Sequence, residues 1–417
     1  MPTFDLDYGK ERVRIDAPST VFDGVLEGTP PPRIPLRRAF DEAWNRPIGM
    51  GDPVQLIEPG ERLVVVITDH TRPTPTREVF PLLWEKITGR VAVEDVTLLV
   101  ATGTHRAPTE EELESMLGDA RGEFSVLVHD CDRDTVEIGT TALGTPITVH
   151  RALIEADRIV TIGHIGMHYY AGYSGGRKNV LPGVAGRATI EANHARLTDP
   201  RSTACVYEGN PINEEMVEAA QRVGLDFIVD VVLSSTGEVA KVVVGEPEAA
   251  HAVGRAFWDE HFQVPFCEPY DVVIASAGGH PKDINLYQAY KAQYNAMKAV
   301  RDGGILCLIA ACPNGIGHPV FTDWIERSGT PEGVFAVYEQ EGFRLGGHKA
   351  VYHAQDLRRA TIYLRSELDD ETIRRFFMEP VRDVADVLEE AARRFGDDFR
   401  VLVMPHAADT FPVCRET

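Results

Sequence analysis

The chain has 417 residues, of which 43% are hydrophobic and 25% charged. That suits two or three soluble domains whose core needs no disulfide or metal to hold it. Forty-two Lys and Arg against 64 Asp and Glu leave a net charge of −22; this excludes nucleic acid and anionic membranes as partners of the surface at large, while leaving room for a local basic pocket.

The opening MPTFDLDYGKERVRIDAP is charged and alternating rather than a signal peptide, and no run approaches the ~20 apolar residues of a membrane span. A cytoplasmic protein without a membrane partner is expected. The first buried-strand pattern is 62–68, RLVVVIT, and its loop DHTRPTP brings Asp69, His70 and Arg72. A second, 95–100, leads into ATGTHRAP with Thr104, His105 and Arg106. Thr109 and Glu112 then form a capping box that starts a helix. A third strand, 158–162, is followed by the long loop GHIGMHYYAGYSGGRKN. Two prolines in FQVPFCEPYD mark a boundary near 262–270. Beyond it come a strand at 271–275, the loop SAGGHPKDIN, a helix over about 286–300, a strand at 304–310 and a final strand in the tail FRVLVMPHAADTFPV.

Continuous apolar strands separated by helices give an α/β fold: two α/β domains with mostly parallel sheets. The N-terminal domain is read as 1–265, which the tail 400–417 can rejoin, and the C-terminal domain as 266–399. The unusual polar residues follow strand ends, where open α/β sheets bind ligands. Residues 69–194 and 280–291 are therefore expected to face one another across an interdomain cleft that holds the active site. Cys131, Cys205, Cys267, Cys307, Cys312 and Cys414 form no CxxC pair and read as buried free thiols.

Segment 163–196 is the densest in chemistry, with His164, His168, His194, Lys178 and seven glycines from Gly163 to Gly186. Glycines let backbone approach a ligand, and Ser174–Lys178 resembles an anion cradle without the spacing of a Walker motif. His164 and His168 are spaced i, i+4 as in helical zinc sites, yet no glutamate lies between them and glycines disfavour a helix. Gln288 and Lys291 share a helix face. An arginine fork with a lysine suits a carboxylate, histidines serve as acid and base near neutral pH, and a lysine in a glycine-rich loop can hold a cofactor covalently. From the residues alone, three readings stand: isomerisation at the carbon beside a carboxylate, a zinc-dependent hydrolase using His164, His168 and His194, and a non-catalytic small-molecule sensor.

Four motifs, DHTRPTP, GTHR, HYYAGYSGGRKN with VLPGVAG and ATIEANHA, and GGHPKDINLYQAYK, resemble the nickel-dependent lactate racemase family of 2-hydroxyacid racemases and epimerases. They span about 230 residues, from 69 to 291. The resemblance implies an isomerase that inverts the 2-carbon of a small 2-hydroxycarboxylate by proton-coupled hydride transfer to a nickel-pincer nucleotide, a pyridinium mononucleotide with two sulfur-containing arms. It further implies cofactor-synthesis enzymes as partners. By motif match, Lys178 is the tethering lysine, His194 the nickel ligand and Asp69 a cofactor-loop residue. His105 and His168 match the two catalytic bases, and Arg72, Gln288 and Lys291 the substrate-carboxylate binders. Gly346–Lys349 resembles a further family segment with no role assigned.

Overall fold

Leu63–Thr68 is almost entirely β-branched, and every residue in it is buried. That is the signature of a central strand covered on both faces. In the computed structural model, which describes residues 2–16 and 21–414, this strand pairs in parallel with Val96–Ala101 on one side and Arg158–Ile165 on the other. Ser125–Val128 adds to one edge of the sheet. Phe227–Leu233 adds to the other and carries Val239–Gly245 antiparallel beside it. The chain lays its strands outward from Leu63–Thr68 in one direction, then returns to place Arg158–Ile165 on the opposite side. Strand order therefore reverses between Leu63–Thr68 and Arg158–Ile165. At such a point the loops diverge and leave a crevice. Register pairs Thr68 with Ala101 and Ile67 with Ile162, so the loops that follow these three strands leave from one edge of the sheet.

The chain divides into two compact units, one of residues 30–260 and one of residues 1–29 together with 261–417. The second unit has its own six-stranded parallel sheet, in the order Glu379–Pro380, Thr361–Arg365, Val300–Ile309, Tyr270–Ser276, Val401–Met404, Phe22–Val25. Here the order reverses between Tyr270–Ser276 and Val401–Met404. Successive residues of the central strand serve two cores. Val272 and Ile274 pack with Leu6 and Ile15, while Val273 and Ala275 pack with Leu286 and Ala289.

This division departs from the sequence-based boundaries. Residues up to 29 were read with the first domain, but they belong to the second unit. The hairpin of Thr3–Tyr8 and Glu11–Asp16 covers one face of its sheet, and Phe22–Val25 pairs with Val401–Met404. The Ser276 hydroxyl donates to the Asp7 carbonyl, and Gly9 N–H donates to Asp283. The tail is two strands rather than one: Val401–Met404 joins the main sheet, while Phe411–Cys414 pairs with Gln263–Phe266. All six cysteines are free. Cys131, Cys307 and Cys312 are buried as expected, but Cys267 and Cys414 are exposed and Cys205 is half-buried. Among the described residues no helix is long and apolar enough to cross a membrane.

Candidate active site

In the unit of residues 30–260, the loop after Leu63–Thr68 closes on itself through Asp69. One carboxylate oxygen, Oδ1, accepts from the Thr71 N–H at 3.1 Å and the Thr71 hydroxyl at 2.7 Å. The other, Oδ2, lies 2.6 Å from Nδ1 of His105, which follows the neighbouring strand Val96–Ala101. Asp69 is only 2% exposed. Burial alone would raise its carboxyl pKa. Hydrogen bonds from His105 and Thr71, with the charges of His105 and Arg72, outweigh that and hold it below the ordinary aspartate value. An ionised carboxylate only accepts, so Nδ1 of His105 carries a hydrogen, and whenever the ring is neutral Nε2 is the base. The sequence motif gave Asp69 to the cofactor loop; its contacts here are to His105 and Thr71.

Arg72 stands exposed on the same loop, and its charge is felt by Asp69 and by Lys178. Two residues on, the Thr74 hydroxyl lies 3.0 Å from Nδ1 of His164. His164 is thereby fastened to the Arg72 loop. It sits in the strand Arg158–Ile165, and His168 in the short strand Met167–His168. Extended backbone separates residues four apart, so the helical zinc geometry is absent. Among the described residues, the one group of three or more His, Cys, Asp or Glu close enough to share an ion is Asp130, Cys131 and Asp132. A preassembled zinc centre of His164, His168 and His194 is thus not formed, and Asp132 is already engaged by Arg187 through two short hydrogen bonds.

His168 accepts a hydrogen bond at Nδ1 from the Ala171 N–H at 3.3 Å. Its neutral ring therefore carries its hydrogen on Nε2, the reverse of His105. Tyr170 is the hub of this region. Its ring centre lies 4.5 Å from that of His168, edge to face, and 5.1 Å from that of His194, with Lys178 Nζ at 5.9 Å. Burial, and then the charges of Arg72 and Arg177, push the Lys178 ammonium well below the ordinary lysine value. A neutral amine is a nucleophile, and an ammonium is not.

The glycine-rich loop is shaped by the protein itself. A Cβ on Gly175 (φ +86°) would meet Asp230 Oδ2 at 2.5 Å, and one on Gly172 (φ +74°) would meet the Val206 carbonyl at 2.1 Å. Asp230 also receives the Gly176 N–H. Arg177, buried beside the lysine, donates to the carbonyls of Tyr173 and Gly175 and to Asn213 Oδ1. Gly172 and Gly175 thus pack the loop tightly against Val206 and Asp230. Tyr170, Arg177, Asn193 and Asp230 escaped the sequence reading. For the first two the signal was adjacency, two residues after His168 and one before Lys178.

His194 is 4% exposed at the end of helix Arg187–His194, and its Nδ1 is bonded to Asn193. A cavity of about 470 Å³ is lined by Gly103, Thr104, His105, His129, Cys131 and Arg187 among others, within the size range of small-molecule sites.

The second unit positions Gln288 and Lys291 on helix Leu286–Ala296. Asn285 caps it by accepting from the Gln288 N–H. Leu286, Ala289, Tyr290 and Gln293 face inward, which leaves Gln288 and Lys291 exposed on one face. Lys349, from the GGHK segment, is 7% exposed and donates to the Tyr287 carbonyl at 2.6 Å, with its ammonium 3.8 Å from that ring's centre. Burial, and then the charge of Lys291, lower it to about 7. Lys282 forms an ion pair with Asp409.

Comparison with known proteins finds relatives over most of the chain. The lactate racemase N-terminal domain model matches residues 8–205 and the lactate racemase C-terminal domain model residues 267–410. A lactate racemase of Thermoanaerobacterium thermosaccharolyticum is 32% identical over 97% of this chain and 98% of its own length. One of Lactiplantibacillus plantarum is 28% identical over the same shares. The solved lactate racemase apoprotein from T. thermosaccharolyticum superimposes with a TM-score of 0.90 at 30% identity, covering 99% of this chain and all of that one. A Thermotoga maritima protein shares the fold alone, at 18% identity and a TM-score of 0.65. With both halves matched in order and a 32%-identical relative spanning 97% of its length, the chain belongs to the lactate racemase family, and it is an isomerase of the racemase type.

Proposed function

We propose that this racemase inverts the 2-carbon of a small 2-hydroxycarboxylate, with lactate the first candidate, using a nickel-pincer nucleotide held by Lys178 and His194. Lactate is the substrate named for the two relatives. The reading rests most on the His105–Asp69 pair, with a second histidine, His168, on a different loop. His105 is set by Asp69 to accept a proton at Nε2, while His168 accepts the Ala171 N–H at Nδ1. A racemase must work on both faces of its substrate carbon, and a histidine from each of two loops suits that need.

The donor set fits the group. Lys178 offers an amine whose proton is held less tightly than usual, which favours a covalent link, and an imidazole suits a borderline-soft metal. When bound, the nickel-pincer nucleotide supplies a hydride acceptor and donor. The residues of the chain do the rest. Arg72, Gln288 and Lys291 are assigned to the substrate carboxylate, where a guanidinium fork and an ammonium bind strongly. His105 is assigned to take the hydroxyl proton of one enantiomer at Nε2. His168 is assigned the same task for the other enantiomer, which requires its ring hydrogen to move from Nε2 to Nδ1 and the Ala171 bond to be released. Asp69 keeps the His105 ring in its tautomer and stabilises the imidazolium that forms. Anchoring the carboxylate keeps the substrate in place between the two proton transfers.

The test is a chirality assay on protein co-expressed with the cofactor-synthesis enzymes, using lactate, longer aliphatic 2-hydroxyacids, phenyllactate and malate. Interconversion of the enantiomers of at least one is expected. Intact mass should show an adduct on Lys178, and metal analysis should show nickel. Full loading without interconversion of any would overturn the substrate class, and no adduct with no nickel would overturn the cofactor.

A further inference from the structure

Behind His194 runs a buried chain of polar groups. His194 Nδ1 lies 3.1 Å from Asn193 Oδ1, and neither residue is appreciably exposed. The orientation of the amide is determined by its other contacts. Asn193 Nδ2 donates to the Ile212 carbonyl at 3.1 Å and to Glu215 Oε2 at 2.9 Å. A carbonyl and a carboxylate only accept, so a flipped amide would set oxygen against oxygen twice in a buried place. Asn193 Oδ1 therefore faces the histidine. It too only accepts, so the hydrogen of that bond sits on His194 Nδ1. A neutral imidazole carries one ring hydrogen, which leaves the lone pair on Nε2.

Glu215 is 1% exposed and is held in turn. Its Oε1 accepts from the Thr141 hydroxyl at 2.8 Å and its Oε2 from Arg196 Nε at 3.2 Å. Arg196 is itself positioned by the Leu143 carbonyl at 2.8 Å. The chain of contacts runs from a partly exposed cation through a buried carboxylate and an amide to one ring nitrogen.

We propose that Glu215, acting through the side-chain amide of Asn193, fixes His194 as its Nδ1–H tautomer and so presents the Nε2 lone pair as a metal donor. This rests on the reading of His194 as the nickel ligand. Metal-bound histidines are commonly oriented in this way, by an acceptor on the ring nitrogen that does not bind the metal. Here the acceptor is a neutral amide whose own orientation depends on a carboxylate one step further out. Asn193 and Glu215 are positioning residues, and neither needs to touch the substrate.

The tautomer can be read on the metal-free protein by 15N NMR of its histidine side chains, with the His194 signals identified by their absence from His194→Gln. A protonated Nδ1 and a lone-pair Nε2 are expected in the wild type; the reverse pattern overturns the proposal without recourse to a variant. Asn193→Ala and Glu215→Ala should move His194 toward the Nε2–H form. Glu215→Gln still offers Asn193 an oxygen and should stay close to wild type. In protein loaded by co-expression, Asn193→Ala should lose nickel to a chelator with an affinity lower by roughly 10–100-fold, while the adduct mass on Lys178 remains. Wild-type nickel affinity in Asn193→Ala overturns the proposal. Nickel retained by His194→Gln would overturn the ligand assignment beneath it, a failure the tautomer measurement tells apart from failure of the relay.

Discussion

The two units solve the same architectural problem and then part company. Each has a six-stranded sheet, wholly parallel in one and parallel but for an antiparallel edge strand in the other, whose strand order reverses once, with polar loops at the reversal. In residues 30–260 the side chains of interest are tightly specified. Asp69 is buried, and His105, His168 and His194 each have a bonded Nδ1 that determines where the ring hydrogen resides. In the other unit, Gln288 and Lys291 project from an exposed helix face, and the buried amine of Lys349 is held by a backbone carbonyl. Proton transfer and metal ligation depend on which nitrogen carries a hydrogen, so they demand a supporting shell. Carboxylate binding depends on charge and reach, and tolerates exposed side chains.

Arg72 apart, substitutions in the unit of residues 30–260 should accordingly act on kcat, and those at Gln288 and Lys291 in the other unit on KM, and the largest effect should break this comparison most cleanly if it fails. Lys178→Ala should remove the cofactor adduct and reduce racemisation to background, read by intact mass and chirality assay together. Asp69→Asn keeps the shape but can present an N–H to His105 and so favour the wrong tautomer. A loss of roughly 10²–10⁴ in kcat with little change in KM is expected. The same residue sets a pH dependence of stability. Its folded-state pKa is below the ordinary aspartate value, so its contribution is present above about pH 4 and is lost as pH falls through that value toward the lower folded one. Thermal melts of wild type should therefore fall more steeply below pH 4 than those of Asp69→Asn.

Much of this layout was legible in the sequence, because strand ends in a parallel sheet announce themselves. Apolar runs at 62–68, 95–100, 158–162 and 271–275 match observed strands to within a few residues, and the Thr109 capping box is present as expected. The helix expected over about 286–300 ends at Ala296, since Val300 opens the next strand. What could not be read was non-local. Pairing of Phe22–Val25 with Val401–Met404 joins the two ends of the chain, and no local pattern encodes a partner that distant. Asn193 and Glu215 were missed for a related reason. A buried polar residue on a helix looks like any other until its partner is known, and Glu215 meets Asn193 from a different helix, Pro211–Val223. The glycines of 163–186 could not be resolved by composition, since tight loop packing and ligand approach leave the same signal.

A middle-sized effect probes the cations. Arg72→Ala should lower kcat/KM by roughly 10–100-fold for every 2-hydroxyacid that is turned over, the scale of a charge-assisted hydrogen bond. Lys291→Ala should raise KM by a comparable factor while kcat changes less. If Lys291→Ala instead abolished kcat with KM unchanged, the division between a chemical unit and a binding unit would be wrong.

The smallest expected effect concerns Lys349, which tests whether the second unit also stores a perturbed group for structural reasons. Its folded-state pKa is about 7, lowered chiefly by burial and then by Lys291. The unfolded chain holds that proton up to the ordinary lysine value, so between about pH 7 and pH 10 the unfolded state binds more protons and stability must rise with pH from this group. Lys349→Met keeps the length and removes the titration. Its melting temperature should exceed that of wild type near pH 7 if the buried amine is a net cost, and the gap should narrow toward pH 10 as the wild-type amine becomes neutral in both states. The lost bond to the Tyr287 carbonyl opposes this by about 1 kcal/mol at every pH. The narrowing of the gap, rather than its absolute size, is therefore the measurement that decides. A gap independent of pH would mean that Lys349 keeps its proton in the folded protein and stands as a second cation beside Lys291, making the binding unit more strongly charged than its exposed residues suggest.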